Sequence, residues 1–166
     1  MTSRRWTLDV VAAHPFLSGL PPAWLDRLAE RAHPVVWTRG ERLFQQDGPA
    51  DRFWLIRNGV VALDFRVRGR DLVIENIGAG SVVGWSWLFP PYRWHFGAVA
   101  AEPSDGIEFD AVAVRRLMED DDPLGRELTA RFMRVVLDRL NAARIRLHDG
   151  YEDQPDEGPP QPPEFG

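Results

Sequence analysis

Apolar and polar positions along the chain fall into three textures. Between 14 and 33 the apolar residues Trp24, Leu25, Leu28, Ala29 and Ala32 recur on one helical face, and Pro21-Pro22 suits a first turn, where a missing N–H costs nothing. The spacing predicts a helix over 14–33. From 34 to 110 eight short β-rich runs follow one another, at 35–38, 42–45, 53–57, 60–67, 72–77, 82–83, 96–101 and 106–109, with Gly, Pro, Asp or Asn between them. No helical run alternates with them, so the pattern predicts a sandwich or barrel rather than a parallel sheet. Arg57-Asn58-Gly59 and Arg68-Gly69-Arg70 read as hairpin turns. After 110 the helical period returns, first as a short helix over 111–118. Asp122-Pro123 then predicts a helix start, with Asp as cap and Pro in the first turn. From there Leu124, Leu128, Phe132, Val135, Val136, Leu140, Ala143 and Leu147 hold the three-four spacing through about six turns. A stripe of that length calls for a partner to cover it. The other face carries Arg126, Arg131, Arg134, Arg139, Arg144 and Arg146 beside Glu127 and Asp138, and reads as solvated.

Composition narrows the class. The 166 residues are 44% apolar and 27% charged, enough for one domain with a buried core. No apolar run approaches the length of a membrane span, and 1–14 lacks the pattern of a secretory signal, so a cytoplasmic protein is expected. Without Cys there is no disulfide, thiolate metal site or cysteine nucleophile. The net charge of −5 is uneven. Residues 149–166 carry six acids and no base, leaving 20 bases against 19 acids over 1–148. That acidic segment, with five prolines, is expected to be a disordered tail. The near-neutral body does not advertise nucleic-acid binding.

Several ordered motifs carry a family resemblance. They are His14-Pro15-Phe16-Leu17-Ser18-Gly19-Leu20, Arg39-Gly40-Glu41-Arg42-Leu43-Phe44, Gln46-Asp47-Gly48-Pro49-Ala50-Asp51, Phe53-Trp54-Leu55-Ile56, Asn58-Gly59-Val60-Val61 and Ile77-Gly78-Ala79-Gly80-Ser81-Val82-Val83-Gly84. Together they resemble the cyclic nucleotide-binding domain of the bacterial catabolite-activator (Crp/Fnr) family, over residues 14–148. The resemblance implies a mainly β fold with flanking helices: a jelly-roll-like, double-stranded β-roll over about 34–110, then a long C-terminal amphipathic helix over about 122–148. It implies a homodimer through that helix and a cyclic nucleotide inside the roll. The family's DNA-reading module follows the long helix and needs three helices; only 18 acidic, proline-rich residues follow His148, so direct DNA binding is not expected.

The resemblance departs at the phosphate-binding cassette. The family pattern is Gly-Glu, a short helix, then Arg and a small residue leading into a strand. The helix amides and Arg hold the phosphate, and the Glu accepts from the ribose hydroxyl. Here the segment reads Gly84-Trp85-Ser86-Trp87-Leu88-Phe89-Pro90-Pro91-Tyr92-Arg93-Trp94-His95-Phe96-Gly97-Ala98. Trp85 replaces the Glu and accepts no hydrogen bond. In register with the following strand, the Arg position falls on Trp94, with Arg93 one residue early. Two readings stay open. In one, Gly84, Trp85, Ser86, Trp87, Arg93, Trp94 and His95 bind a nucleotide-like or other anionic ligand, with Arg93 on the anion and an indole stacked on a ring. In the other, the indoles fill the roll and the domain is a ligandless interaction module. Ordinary cyclic-AMP sensing is a third alternative, weakened by both replacements.

Catalysis finds little support. His14, His33, His95 and His148 are isolated, where a metal site needs three or four converging ligands, so no metal is expected. No Gly-x-Ser-x-Gly elbow occurs, and a phosphate loop ending in Lys cannot form in a chain whose bases are all Arg. The expected function is regulatory: a stand-alone dimeric sensor that passes its signal to a separate protein partner, with no enzyme activity and no membrane association.

Overall fold

The computed structural model describes the backbone of residues 2–152 and the side chains of residues 4–147. Two helices, α1 (Thr2–Ala13) and α2 (Pro22–Ala29), precede eight strands: β1 (Ala32–Trp37), β2 (Arg42–Phe44), β3 (Arg52–Asn58), β4 (Val61–Val67), β5 (Arg70–Ile77), β6 (Val82–Val83), β7 (Gly97–Ala100) and β8 (Ser104–Asp110). Helices α3 (Ala111–Asp120) and α4 (Asp122–Glu152) follow. The strands form two antiparallel four-stranded sheets, ordered β1-β8-β3-β6 and β2-β7-β4-β5. This is the jelly-roll-like architecture, followed by the long helix, that the strand spacing and the resemblance predict.

The core centres on a strand that is covered on both faces. β3 runs Phe53, Trp54, Leu55 and Ile56 fully buried, as expected of a strand covered on both faces, and Ile107 and Phe109 of β8 lie beside it. Asn58-Gly59 makes the β3–β4 turn. Gly59 sits at φ 93°, a left-handed conformation that favours glycine, and Ser104 packs where a Cβ would project.

Several elements differ from expectation. The helix predicted over 14–33 is confined to Pro22–Ala29. Residues 14–20 wind instead as a turn that places Gly19 at φ 85°, and its carbonyls at Phe16 and Ser18 accept from Arg131 Nη1 at 2.8 and 2.9 Å. Arg131 is therefore bound to that turn, and to Glu127, rather than lying on a solvated face. Helix α1 was not foreseen; among its described side chains only Thr7 and Val11 are buried, too narrow a stripe to read from spacing. The cap of α4 is Asp121, whose carboxylate accepts from Leu124 N at 3.3 Å, one residue before the expected Asp122.

The chain divides into two units, residues 1–131 and 132–166. In the first, the α4 residues Leu124 and Leu128 are buried. In the second, α4 continues to Glu152, four residues past the expected boundary, and Met133, Leu137, Leu140, Ile145 and Leu147 are exposed. The expected disordered tail lies, from 153 onward, outside the described residues.

Candidate functional site

The segment between β6 and β7 is pinned on both faces of a single sheet. Gly84 opens it at φ 96°. A three-residue 3-10 turn, Ser86–Leu88, follows, with Ser86 and Trp87 buried. Trp87 donates Nε1–H to Gly84 O at 3.2 Å, and its ring stacks on Phe53 at 4.9 Å between centroids, with Phe109 beyond at 4.6 Å. Arg115 of α3 holds the same segment from outside. Its Nη1 donates to Trp87 O at 2.7 Å, and its guanidinium lies 3.9 Å from the centre of the Tyr92 ring.

Trp94 is anchored on the opposite side. Neighbouring strand residues point to opposite faces, so Trp54 projects away from the Phe53–Trp87 column. The Trp94 indole is 4% exposed and stacks on Phe44 of β2 at 3.9 Å, with Trp54 of β3 at 6.0 Å and Phe44–Trp54 at 5.4 Å. Phe44 and Trp54 belong to different sheets, so this cluster closes the space between them. A Cβ on Gly84 would lie 2.9 Å from Trp94 Cη2, so the indole rests directly on the glycine that opens the cassette. Backbone bonds fix its register: Trp94 N donates to Gly48 O at 2.9 Å, and Asp47 N donates to Trp94 O at 2.8 Å.

The same alternation sends the flanking residues outward. Arg93 is exposed and donates from Nη1 to Asp47 O at 2.8 Å. His95 is exposed and lies edge-on to the half-buried Trp85, with ring centres 6.0 Å apart. Of the seven predicted ligand residues, the fold thus brings Gly84 and Trp94 together, sets Ser86 and Trp87 into the packing against β3 and α3, and leaves Arg93 and His95 at the surface with Trp85 half-buried beside His95.

Sequence reasoning missed a second feature between the strands. Arg42 of β2 forms a two-pronged ion pair with Asp64 of β4, Nη1–Oδ1 at 3.1 Å and Nη2–Oδ2 at 2.7 Å. The Asp64 side chain is 7% exposed. Its hydrogen bond raises the Arg42 guanidinium above its ordinary pKa, outweighing partial desolvation. Gly97 of β7, paired with Asp64, leaves the room that both side chains occupy. The only available signal was two lone charges inside apolar runs, and nothing local pairs positions 22 residues apart. Both carboxylate oxygens are engaged by Arg42, so the pair is a structural lock between strands.

His14 is satisfied structurally. Its Nε2 lies 2.9 Å from Ile56 O and its Nδ1 accepts from Phe16 N at 3.2 Å, an arrangement that suits the neutral ring with the proton on Nε2. Burial is the largest cause of its lowered pKa. Among the described residues no group of His, Asp and Glu is arranged to hold a metal ion, and no helix is long and apolar enough to cross a membrane.

Comparison with known proteins agrees with this architecture. The chain is 24% identical over 142 residues to a CRP-like cAMP-activated global transcriptional regulator of Mycobacterium tuberculosis, covering 85% of the chain and 62% of the regulator. It therefore spans less than two thirds of that relative's length. A cyclic nucleotide-binding domain from Methylobacillus flagellatus superposes with a TM-score of 0.73 at 18% identity, over 89% of this chain and 85% of that one. A cAMP-binding acyltransferase from Mycobacterium smegmatis, solved as a point mutant, superposes with a TM-score of 0.69 at 27% identity, over 86% of this chain and 43% of the enzyme. The family model for the cyclic nucleotide-binding domain matches residues 34–121, more than half of the sequence, and the chain belongs to that family.

Proposed function

We propose that this domain is a regulatory module whose nucleotide cradle is closed by its own tryptophan, and that it works through protein contacts rather than by sensing cyclic AMP. One observation carries the reading: the Trp94 indole, which the sequence register sets at the family's phosphate-binding Arg position, is buried, stacked on Phe44 and against Gly84. An indole offers one N–H and no charge to a cyclic phosphate. Admitting a nucleotide requires Trp94 to leave that packing, which costs about 3–5 kcal/mol for a buried aromatic side chain. A cost of that size lowers apparent affinity by roughly 10²–10⁴-fold. Trp85, standing where the ribose acceptor belongs, lowers it further.

The output surface in this reading is α4. Met133, Leu137 and Leu140 recur at the three-four spacing of a two-helix seam, Leu147 follows seven residues after Leu140, and all four are exposed. A twin chain is the natural cover for that stripe, and a dimer of this kind would present a composite surface to a separate protein partner in the cytoplasm. No catalytic role is assigned.

A second reading keeps a ligand. Arg93 and His95 are exposed on one short segment, and His95 contacts Trp85. These residues can meet a different anionic molecule at the surface, with Arg93 on the anion. Calorimetric titration with cyclic AMP and with cyclic GMP tests the closed cradle. Absence of binding at millimolar nucleotide supports the closed cradle. Micromolar binding abolished by Arg93→Ala contradicts it and restores a sensor.

A further inference from the structure

The surface feature least explained by the fold is the outer part of the β4–β5 hairpin. Residues 65–74 form an unbroken run of exposed positions that includes Phe65, Val67, Leu72 and Val73, the last two 52% and 60% exposed. The third strand of support stops early: β7 pairs with β4 only as far as Gly97↔Asp64. Beyond Asp64 the hairpin is a two-stranded ribbon, paired Phe65↔Leu72, Arg66↔Asp71 and Val67↔Arg70. Its base is held by Gln46, whose Oε1 accepts from Arg66 N at 3.0 Å. A ribbon of two strands with uncovered apolar side chains is marginal in water and gains from a third strand.

Charge and edge geometry select the occupant. Arg66, Arg68 and Arg70 have no ion-pair partner among the described residues, and the one acid of the tip, Asp71, lies 3.8 Å from Arg42. Residues 65–74 carry three arginines against one acid, so two copies of the ribbon would repel each other, which disfavours self-pairing. A lipid surface would cover one face. Alternation instead puts Phe65, Val67 and Leu72 on one face and Val73, opposite Asp64, on the other. An added strand borders both faces. β5 is the outermost strand of its sheet, and from Arg70 to Val73 no further strand lies along it among the described residues. We propose that the β4–β5 ribbon is a docking edge for an extended partner-protein segment that alternates acidic and apolar residues and adds to β5 as another strand. This surface stands whether or not the cradle admits a ligand.

The test uses the full chain with a library of ten-residue peptides alternating Glu with Val, Ile or Phe, and a matched library with Lys for Glu. Fluorescence anisotropy reads affinity and amide exchange reads protection along β5. Binding of acidic members at micromolar concentration is expected, weakened at least tenfold by R68E/R70E and by L72S/V73S, and declining as salt rises. Arg116→Glu, on the exposed face of α3, should leave it unchanged. All four altered ribbon positions are exposed, and an unshifted thermal midpoint checks that the variants fold. The proposal is overturned if no acidic peptide binds more tightly than its Lys counterpart, or if R68E/R70E leaves binding intact. It is equally overturned if the same substitutions abolish binding to phosphatidylserine vesicles, or self-association, while no peptide binds.

Discussion

Replacing Trp94 by Ala removes the indole from its stack on Phe44 and from its contact with Gly84. An aromatic side chain of this kind buries about 150–250 Å², which at roughly 25 cal/mol per Å² amounts to about 4–6 kcal/mol as an upper figure. Truncations of buried aromatic residues cost about 3–5 kcal/mol, and the two routes agree. Urea unfolding followed by far-ultraviolet circular dichroism, which does not depend on the lost fluorophore, should show a loss of that size. Two coupled effects distinguish packing from generic damage. Gly84→Ala imposes a left-handed φ on Ala and presses its Cβ to 2.9 Å from Trp94 Cη2. The φ cost persists in the Trp94→Ala background, but the steric part should vanish, leaving a coupling of at least about 0.5 kcal/mol. Added indole should also restore stability to Trp94→Ala by refilling an apolar cavity. A loss below about 1 kcal/mol, with no coupling and no rescue, would refute the assignment of Trp94 to the space between the sheets.

Three further outcomes follow from other contacts. Arg42→Met strands the Asp64 carboxylate and should cost about 3–5 kcal/mol, tempered by the partial exposure of Arg42; R42M/D64L should recover most of it, and equal instability of single and double variants in urea would contradict the lock. Arg115→Met removes the charged donor to Trp87 O and the contact with Tyr92, so amides of 86–92 should exchange faster by at least tenfold while those of β3 and β8 stay protected; uniform change would place the effect elsewhere. His14 has a pKa below 6.5 in the folded state because it is buried neutral, so below pH 6.5 the unfolded chain takes up the extra proton. Its contribution is complete above that pH and is lost as pH falls toward the folded pKa. The urea midpoint should drop between pH 7 and 5, and His14→Gln should flatten that drop; an identical pH slope in the variant would remove His14 as the cause.

Much of the fold was legible because its signals are local. Each of the eight β-rich runs falls on a strand, since Gly, Asn and Asp at turns and apolar residues between them are dictated by backbone geometry within a few positions. The 14–20 segment was read as part of the 14–33 helix although the helical face lies at 24–32, and its carbonyls bond to Arg131, more than a hundred residues away. The candidate site was half readable. Counting back from the strand after the cassette set Trp94 at the Arg position, and the alternation that buries Trp94 also turns Arg93 outward. The Arg42–Asp64 pair and the Arg115 clamp escaped because each joins elements that meet only after the sheets close.

A crystal structure of the chain grown with excess cyclic AMP would decide whether an indole stands where a nucleotide would lie. Trp94 should be found stacked on Phe44 and against Gly84, with no nucleotide between the sheets. Cyclic AMP bound there, with Trp94 swung out of the stack, would contradict the closed cradle.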